Sequence, residues 1–158
     1  MKKLYIASAL LTVILDQATK YLVNNFISPF STIEILPFLN LVNVRNTGSA
    51  FGMFRDLGNN IFIIISLAAI VFIFYMLIKG REDRFSLSLI LGGATGNLLD
   101  RVFRGSVVDF IDVFAGRLHW PAFNVADSAL TIGIGIVFIK LFLNRHETSE
   151  NKLHKTQN

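Results

Sequence analysis

Four stretches of this chain, residues 4–26, 61–78, 85–104 and 124–143, are long and apolar enough to cross a bilayer. A hydrocarbon core of ~30 Å takes about 20 helical residues. Three of the four carry a carboxylate: Asp16 in the first, Asp100 in the third and Asp127 at the start of the fourth. Backbone in lipid must satisfy its own hydrogen bonds, and an ionisable side chain at that depth is tolerated when it pairs, faces the interior or does chemistry. A chain built this way is constrained to a helical bundle whose polar groups meet one another.

Composition agrees with that constraint. Hydrophobic residues make up 53% and charged residues 16%, where soluble domains have about 45–50% and 25%. A length of 158 residues suits one domain, residues 1–158. There is no cysteine, which excludes disulfides, zinc-thiolate sites and a cysteine nucleophile. The start, MKKLYIASALLTVIL, has the look of a signal peptide. Its small residues fall inside the apolar run, however, and the run resumes past Asp16 and Lys20, so a retained first transmembrane helix is expected.

Nine of the fifteen Lys and Arg residues lie at the termini, in the 79–84 connection or, for Lys140, near the end of the fourth span. With four spans these share one side, which the positive-inside bias makes cytoplasmic, including a polar, frayed tail over 145–158. The net charge of +4 thus reflects topology and not a nucleic-acid partner. At about 1.5 Å per residue from the cytoplasmic helix ends, Lys20, Asp100 and Asp127 all fall near ~24 Å, with Asp16 and Asn97 near ~18 Å. Polar residues of three helices therefore share a layer in the outer third of the membrane.

Between the first two spans, LNLVNVRN alternates as a half-buried strand does, and Asn46-Thr47-Gly48 supplies a turn. A small sheet on the outer membrane surface is expected. In VVDFIDVF, Val107, Phe110, Ile111 and Phe114 have helical spacing, which predicts an interfacial helix with Asp109 and Asp112 turned off its apolar face. Trp120 suits the aromatic belt. The expected fold class is an all-α integral membrane protein of four transmembrane helices with a small extracytoplasmic β-sheet and a short interfacial helix.

Asp16 and Lys20 are an i, i+4 pair with the acid first, the better order for a helix ion pair, and either brace the structure or support chemistry. Gly92 and Gly96 make a small face for close helix approach, with Asn97 and Arg101 one turn apart beyond it. Asn124 to Asp127 reads as a helix start, in which Asp127 either only caps or also reacts. Asp109, on the same side of the membrane, favours reaction. Two carboxylates brought together share a proton, so that one activates water while the other protonates the substrate. The three histidines lack metal-ligand spacing, and no nucleophile elbow or phosphate loop is present.

The motifs DQATK, NVRNTGSAF, GGATGNLLDR, VVDFID and FNVADS occur in order along the chain. Together they resemble the lipoprotein signal peptidases, signal peptidase II, over nearly its whole length. The resemblance implies a multi-pass aspartic endopeptidase of the bacterial inner membrane, active near the extracytoplasmic face. It removes the signal peptide of a prolipoprotein before a diacylglyceryl-modified cysteine. It implies Asp109 and Asp127 as the catalytic pair. Asp16, Lys20, Asn46, Gly93, Asn97, Arg101 and Asn124 match supporting and substrate-contacting positions. Ser49 stands where the family more often has Ala. The partners expected are the prolipoprotein and membrane lipids, with no metal or cofactor and a monomeric enzyme. Two other readings use the same polar layer: a small proton-coupled carrier, and a scaffold whose polar groups only fix packing.

Overall fold

The computed structural model describes residues 2–29, 31–48, 58–79 and 83–156. Its elements run α1 (Lys2–Phe26), β1 (Thr32–Leu36), β2 (Leu39–Asn46), α2 (Gly58–Lys79), α3 (Arg84–Arg104), β3 (Val107–Ala115), β4 (Leu118–His119) and α4 (Val125–Thr156). Leu4–Phe26, Gly58–Lys79 and Val125–Leu143 are long and apolar enough to cross a membrane. α3 has comparable length, 21 residues, but is less apolar. Its position explains this. α3 packs against α1, α2 and α4, so much of its surface meets protein, and it buries Ser86, Ser88, Asp100 and Arg101. The helices around it leave Leu10, Ile14, Ile64, Phe72, Phe138 and Leu141 exposed, as suits contact with lipid.

Glycines set how closely α3 is approached. A Cβ on Gly92 would lie 2.7 Å from Thr12 Cβ, and one on Gly96 would lie 2.6 Å from Asp16 Oδ2, so the expected small face receives α1. A Cβ on Gly93 would collide with the Ala126 carbonyl at the start of α4. From the α4 side, Gly133 makes the same accommodation for Ile90.

The strands form one antiparallel sheet in the order β1-β2-β3-β4. LNLVNVRN is strand β2, as its alternation predicts. The predicted interfacial helix over VVDFIDVF is instead strand β3, paired with β2 from Leu39↔Val113 to Asn46↔Val107 with a register shift between Leu41 and Val44. The apolar spacing of this segment fits either period. Its β-branched Val107, Val108, Ile111 and Val113 favour the strand, and the edge of β2 supplies a partner for its backbone. Because strand side chains alternate, Asp109 and Asp112 project from opposite faces. Asp112 accepts hydrogen bonds from Asn40 Nδ2 at 2.9 Å and contacts His119 Nδ1 at 2.9 Å, on the far side from the cleft described below.

A cluster of Val23 and Ile27 from the end of α1 with Val108 and Phe110 of β3 fastens the sheet to the bundle, and Leu41, Ile111 and Val125 pack around it. At the other end, α4 continues past Leu143 to Thr156 where a frayed tail was expected. That segment contains neither Gly nor Pro to stop a helix.

Candidate active site

Asp109 leaves β3 and Asp127 leaves the first turn of α4, and both open onto one cleft of about 1030 Å³. Asn46, Asn97, Arg101, Phe62 and Trp120 line the same space. Asp109 is only 2% exposed, and Asp127 is half-buried.

One residue joins the two acids. Asn124 caps α4: its Oδ1 accepts the Asp127 N–H at 2.9 Å, while Asp127 Oδ2 accepts the Asn124 N–H at 3.2 Å, a reciprocal capping box. The Asn124 amide donates at 2.7 Å to Asp109 Oδ1. Asp127 therefore caps its helix as expected, and the same side chain also faces the cleft. The remaining oxygens are fixed by neighbouring elements. Asn46 on β2 donates to Asp109 Oδ2 at 2.9 Å, and Asn97 on α3 donates to Asp127 Oδ1 at 2.7 Å. Asn46 is held in turn by the Gly48 N–H, 3.0 Å from its Oδ1, the expected turn.

The carboxyl of Asp109 is pushed up to about 6. Burial is the largest cause and the charge on Asp127 the second. Hydrogen bonds from Asn46 and Asn124, and the cation of Lys20, oppose them.

Behind the pair lies a second polar layer, closed to solvent. Lys20 is fully buried, its Nζ 2.8 Å from Asp16 Oδ2, 3.0 Å from Asp100 Oδ2 and 3.0 Å from Asn97 Oδ1. Asp16 Oδ1 accepts the Ala126 N–H at 2.9 Å, next to Asp127 in sequence. Arg101 donates to the Gly48 carbonyl at 3.0 Å and to Asn59 Oδ1 at 3.3 Å, with its guanidinium carbon 4.5 Å from the centre of the Phe62 ring. It joins α3 to the turn after β2 and to α2.

The residues singled out in the sequence thus separate by position. Asp109, Asp127, Asn46, Asn97 and Arg101 line the cleft, Asn124 links the acids, Asp16 and Lys20 lie behind them, and Gly93 lets α4 approach. Ser49 lies outside the described residues. Sequence reasoning missed Gln17, whose amide donates to Asp16 Oδ2, Asp100 Oδ1 and the Gly96 carbonyl, each at 3.1 Å. It also missed Asn59 and Phe62, which hold Arg101. Gln17 had a signal, a polar side chain beside Asp16 in an apolar span. Phe62 had none among so many apolar neighbours.

Residues 8–143 match the family model described as signal peptidase (SPase) II. A lipoprotein signal peptidase of Thermodesulfovibrio yellowstonii is 53% identical over 132 residues, covering 84% of this chain and 89% of that protein. Another, from Halalkalibacterium halodurans, is 40% identical over 153 residues, with 94% and 98% covered. A solved structure described as "Bacterial membrane enzyme structure by the in meso method at 2.3 A resolution" superposes with a TM-score of 0.83 at 36% identity, covering 90% of each chain.

Proposed function

The chain belongs to the signal peptidase II family, and from that premise we propose that it removes signal peptides from prolipoproteins by an aspartic mechanism with Asp109 and Asp127 as the catalytic pair. The observation that carries the reading is the shared cleft, in which Asn124 bonds to Asp109 while its cap holds Asp127.

The pair holds one proton between its two carboxyl groups. Burial and the neighbouring charge favour that proton on Asp109, and the helix start favours the negative charge on Asp127. Asp127 takes a proton from a water molecule, and the hydroxide formed adds to the scissile carbonyl carbon. The Asp109 proton passes to the carbonyl oxygen, giving a neutral geminal diol. On collapse, Asp127 delivers its proton to the departing nitrogen, the C–N bond breaks, and a diol hydroxyl returns its proton to Asp109. Acid and base leave the cycle as they entered it.

The cleft suits a lipid-bearing substrate. Phe62, Thr131 and Ile132 form walls from α2 and α4 for acyl chains, and Asn46, Gly48, Trp120 and Pro121 form the side where peptide enters. The bond cut lies before a diacylglyceryl-modified cysteine. Four helices cross the bacterial inner membrane with both termini cytoplasmic and the pair near the outer face. The chain works as a single-domain monomer among membrane lipids, and the carrier alternative draws no support from the relatives named above.

Purified Asp109→Asn and Asp127→Asn variants, assayed on a diacylglyceryl-modified prolipoprotein, are each expected to lose cleavage by about 100-fold or more. Both are expected to fold, with a cooperative melting transition, and the wild type to cleave unimpaired in a chelator. Near-normal cleavage by either folded variant would remove the aspartic pair from the mechanism.

A further inference from the structure

Asp100 belongs to none of the groups given a role above. It is fully buried on α3, and its two oxygens have four partners. Oδ1 pairs with Arg104 and accepts the Gln17 amide. Oδ2 takes Lys20 at 3.0 Å and, across the turn at Gly105 and Ser106, the backbone N–H of Val108 at 3.1 Å. Lys20, Arg104 and Gln17 are enough to compensate a buried charge. The contact to Val108 does something further, because Val108 immediately precedes Asp109.

Val108 is held on every side. Its side chain is wholly buried in the cluster at the end of α1. Its N–H is bound by Asp100, and its carbonyl accepts the Asn124 amide at 3.3 Å. Gly105, with φ of 72°, provides the left-handed turn that brings the chain back over α3. Asp16 makes the corresponding contact for the other acid, through the Ala126 N–H, and Lys20 bonds to Asp16 and Asp100 alike.

We propose that Asp100 is a positioning residue: by binding the Val108 N–H while joined through Lys20 to Asp16, it fixes where Asp109 stands relative to Asp127. This rests on the assignment of those two acids as the catalytic pair. A displacement of ~1 Å at a reacting group costs about 100-fold in rate, whereas substrate is gripped elsewhere, by the walls of the cleft. Loss of the anchor therefore lowers kcat and leaves KM in place.

The test uses the full-length enzyme with Asp100→Ala and Asp100→Asn, measured for kcat, KM and the pH profile of kcat/KM, with a melting curve for each. Asp100→Ala is expected to lose about 100-fold in kcat, with KM within about threefold of wild type. Asp100→Asn retains a carbonyl oxygen for the Val108 N–H and is expected to recover to within about tenfold of wild type, with the pH profile unmoved. If the alanine variant does not fold, the asparagine variant decides alone, on the same criterion.

A folded alanine variant with normal kcat would overturn the proposal. So would a rise in KM alone, an asparagine variant as impaired as alanine or with a shifted profile, or failure of both variants to fold. Asp109→Asn serves as the control for the underlying reading: if it cleaves normally, the pair assignment fails, whatever the Asp100 variants do.

Discussion

At the scale of single residues, Asp109 combines burial with a close like charge, and the consequence can be measured. Its pKa rises from 3.8 to about 6. The folded state therefore binds this proton more tightly than the unfolded chain does. The resulting stabilisation is complete below pH 3.8 and is lost as pH rises to about 6. About two pH units correspond to about 3 kcal/mol. Thermal stability of the wild type should fall over that window, and Asp109→Asn, which does not titrate, should flatten the fall. Asp127→Asn removes one of the two causes, so the Asp109 titration should move down, as read by carboxyl infrared difference spectra. An unmoved Asp109 signal would mean that burial alone sets it. The layer holding Lys20, Asn97, Asp100 and Asp127 was legible by counting residues along helices, whereas Asp109 could be placed only on the same side of the membrane. The backbone contacts from Asp16 to Ala126 and from Asp100 to Val108 were not. No residue type in a sequence signals that its main-chain N–H will be claimed by a carboxylate 110 or 8 residues away.

Among the elements, α3 shows how sequence signal and position interact. Its three glycines, Gly92, Gly93 and Gly96, all lie where α1 or α4 touches it, whereas Gly135 on α4 faces open space. Gly93→Ala is expected to lower stability by about 1–3 kcal/mol, since a methyl group there meets the Ala126 backbone, which cannot swing aside. It should also reduce cleavage, because Ala126 lies between Asn124 and Asp127. Gly135→Ala, with nothing within 4 Å of the added Cβ, should leave both properties unchanged or gain slightly in stability. Melting temperatures of the two variants side by side check the contrast. The helices were readable because apolar length is a local property. β3 was misread because the spacing of Val107, Phe110, Ile111 and Phe114 satisfies a helix, while its pairing partner β2 lies more than sixty residues earlier. Long-range pairing is the information a periodicity count lacks.

Across the whole molecule, the bundle turns apolar surface outward on α1, α2 and α4 and keeps its charges against α3, the order expected of a protein dissolved in lipid. Orientation can be tested without background, because the chain contains no native thiol. An Arg117→Cys variant, in the exposed turn between β3 and β4, should react in intact cells with an outer-membrane-permeant maleimide that does not cross the inner membrane. Ser149→Cys should react only after lysis. The opposite pattern would invert the proposed topology. The alternation along β3 also bears on how such a gene can change. A single in-frame codon gained or lost between Gly105 and Val107 would turn the strand over by one residue. The carboxylate at its centre would then face Val23 and Ile27 in place of the cleft. Length drift in this joint should thus be lethal to the enzyme even where it is harmless to the bundle, and any tolerated indel should appear in whole pairs.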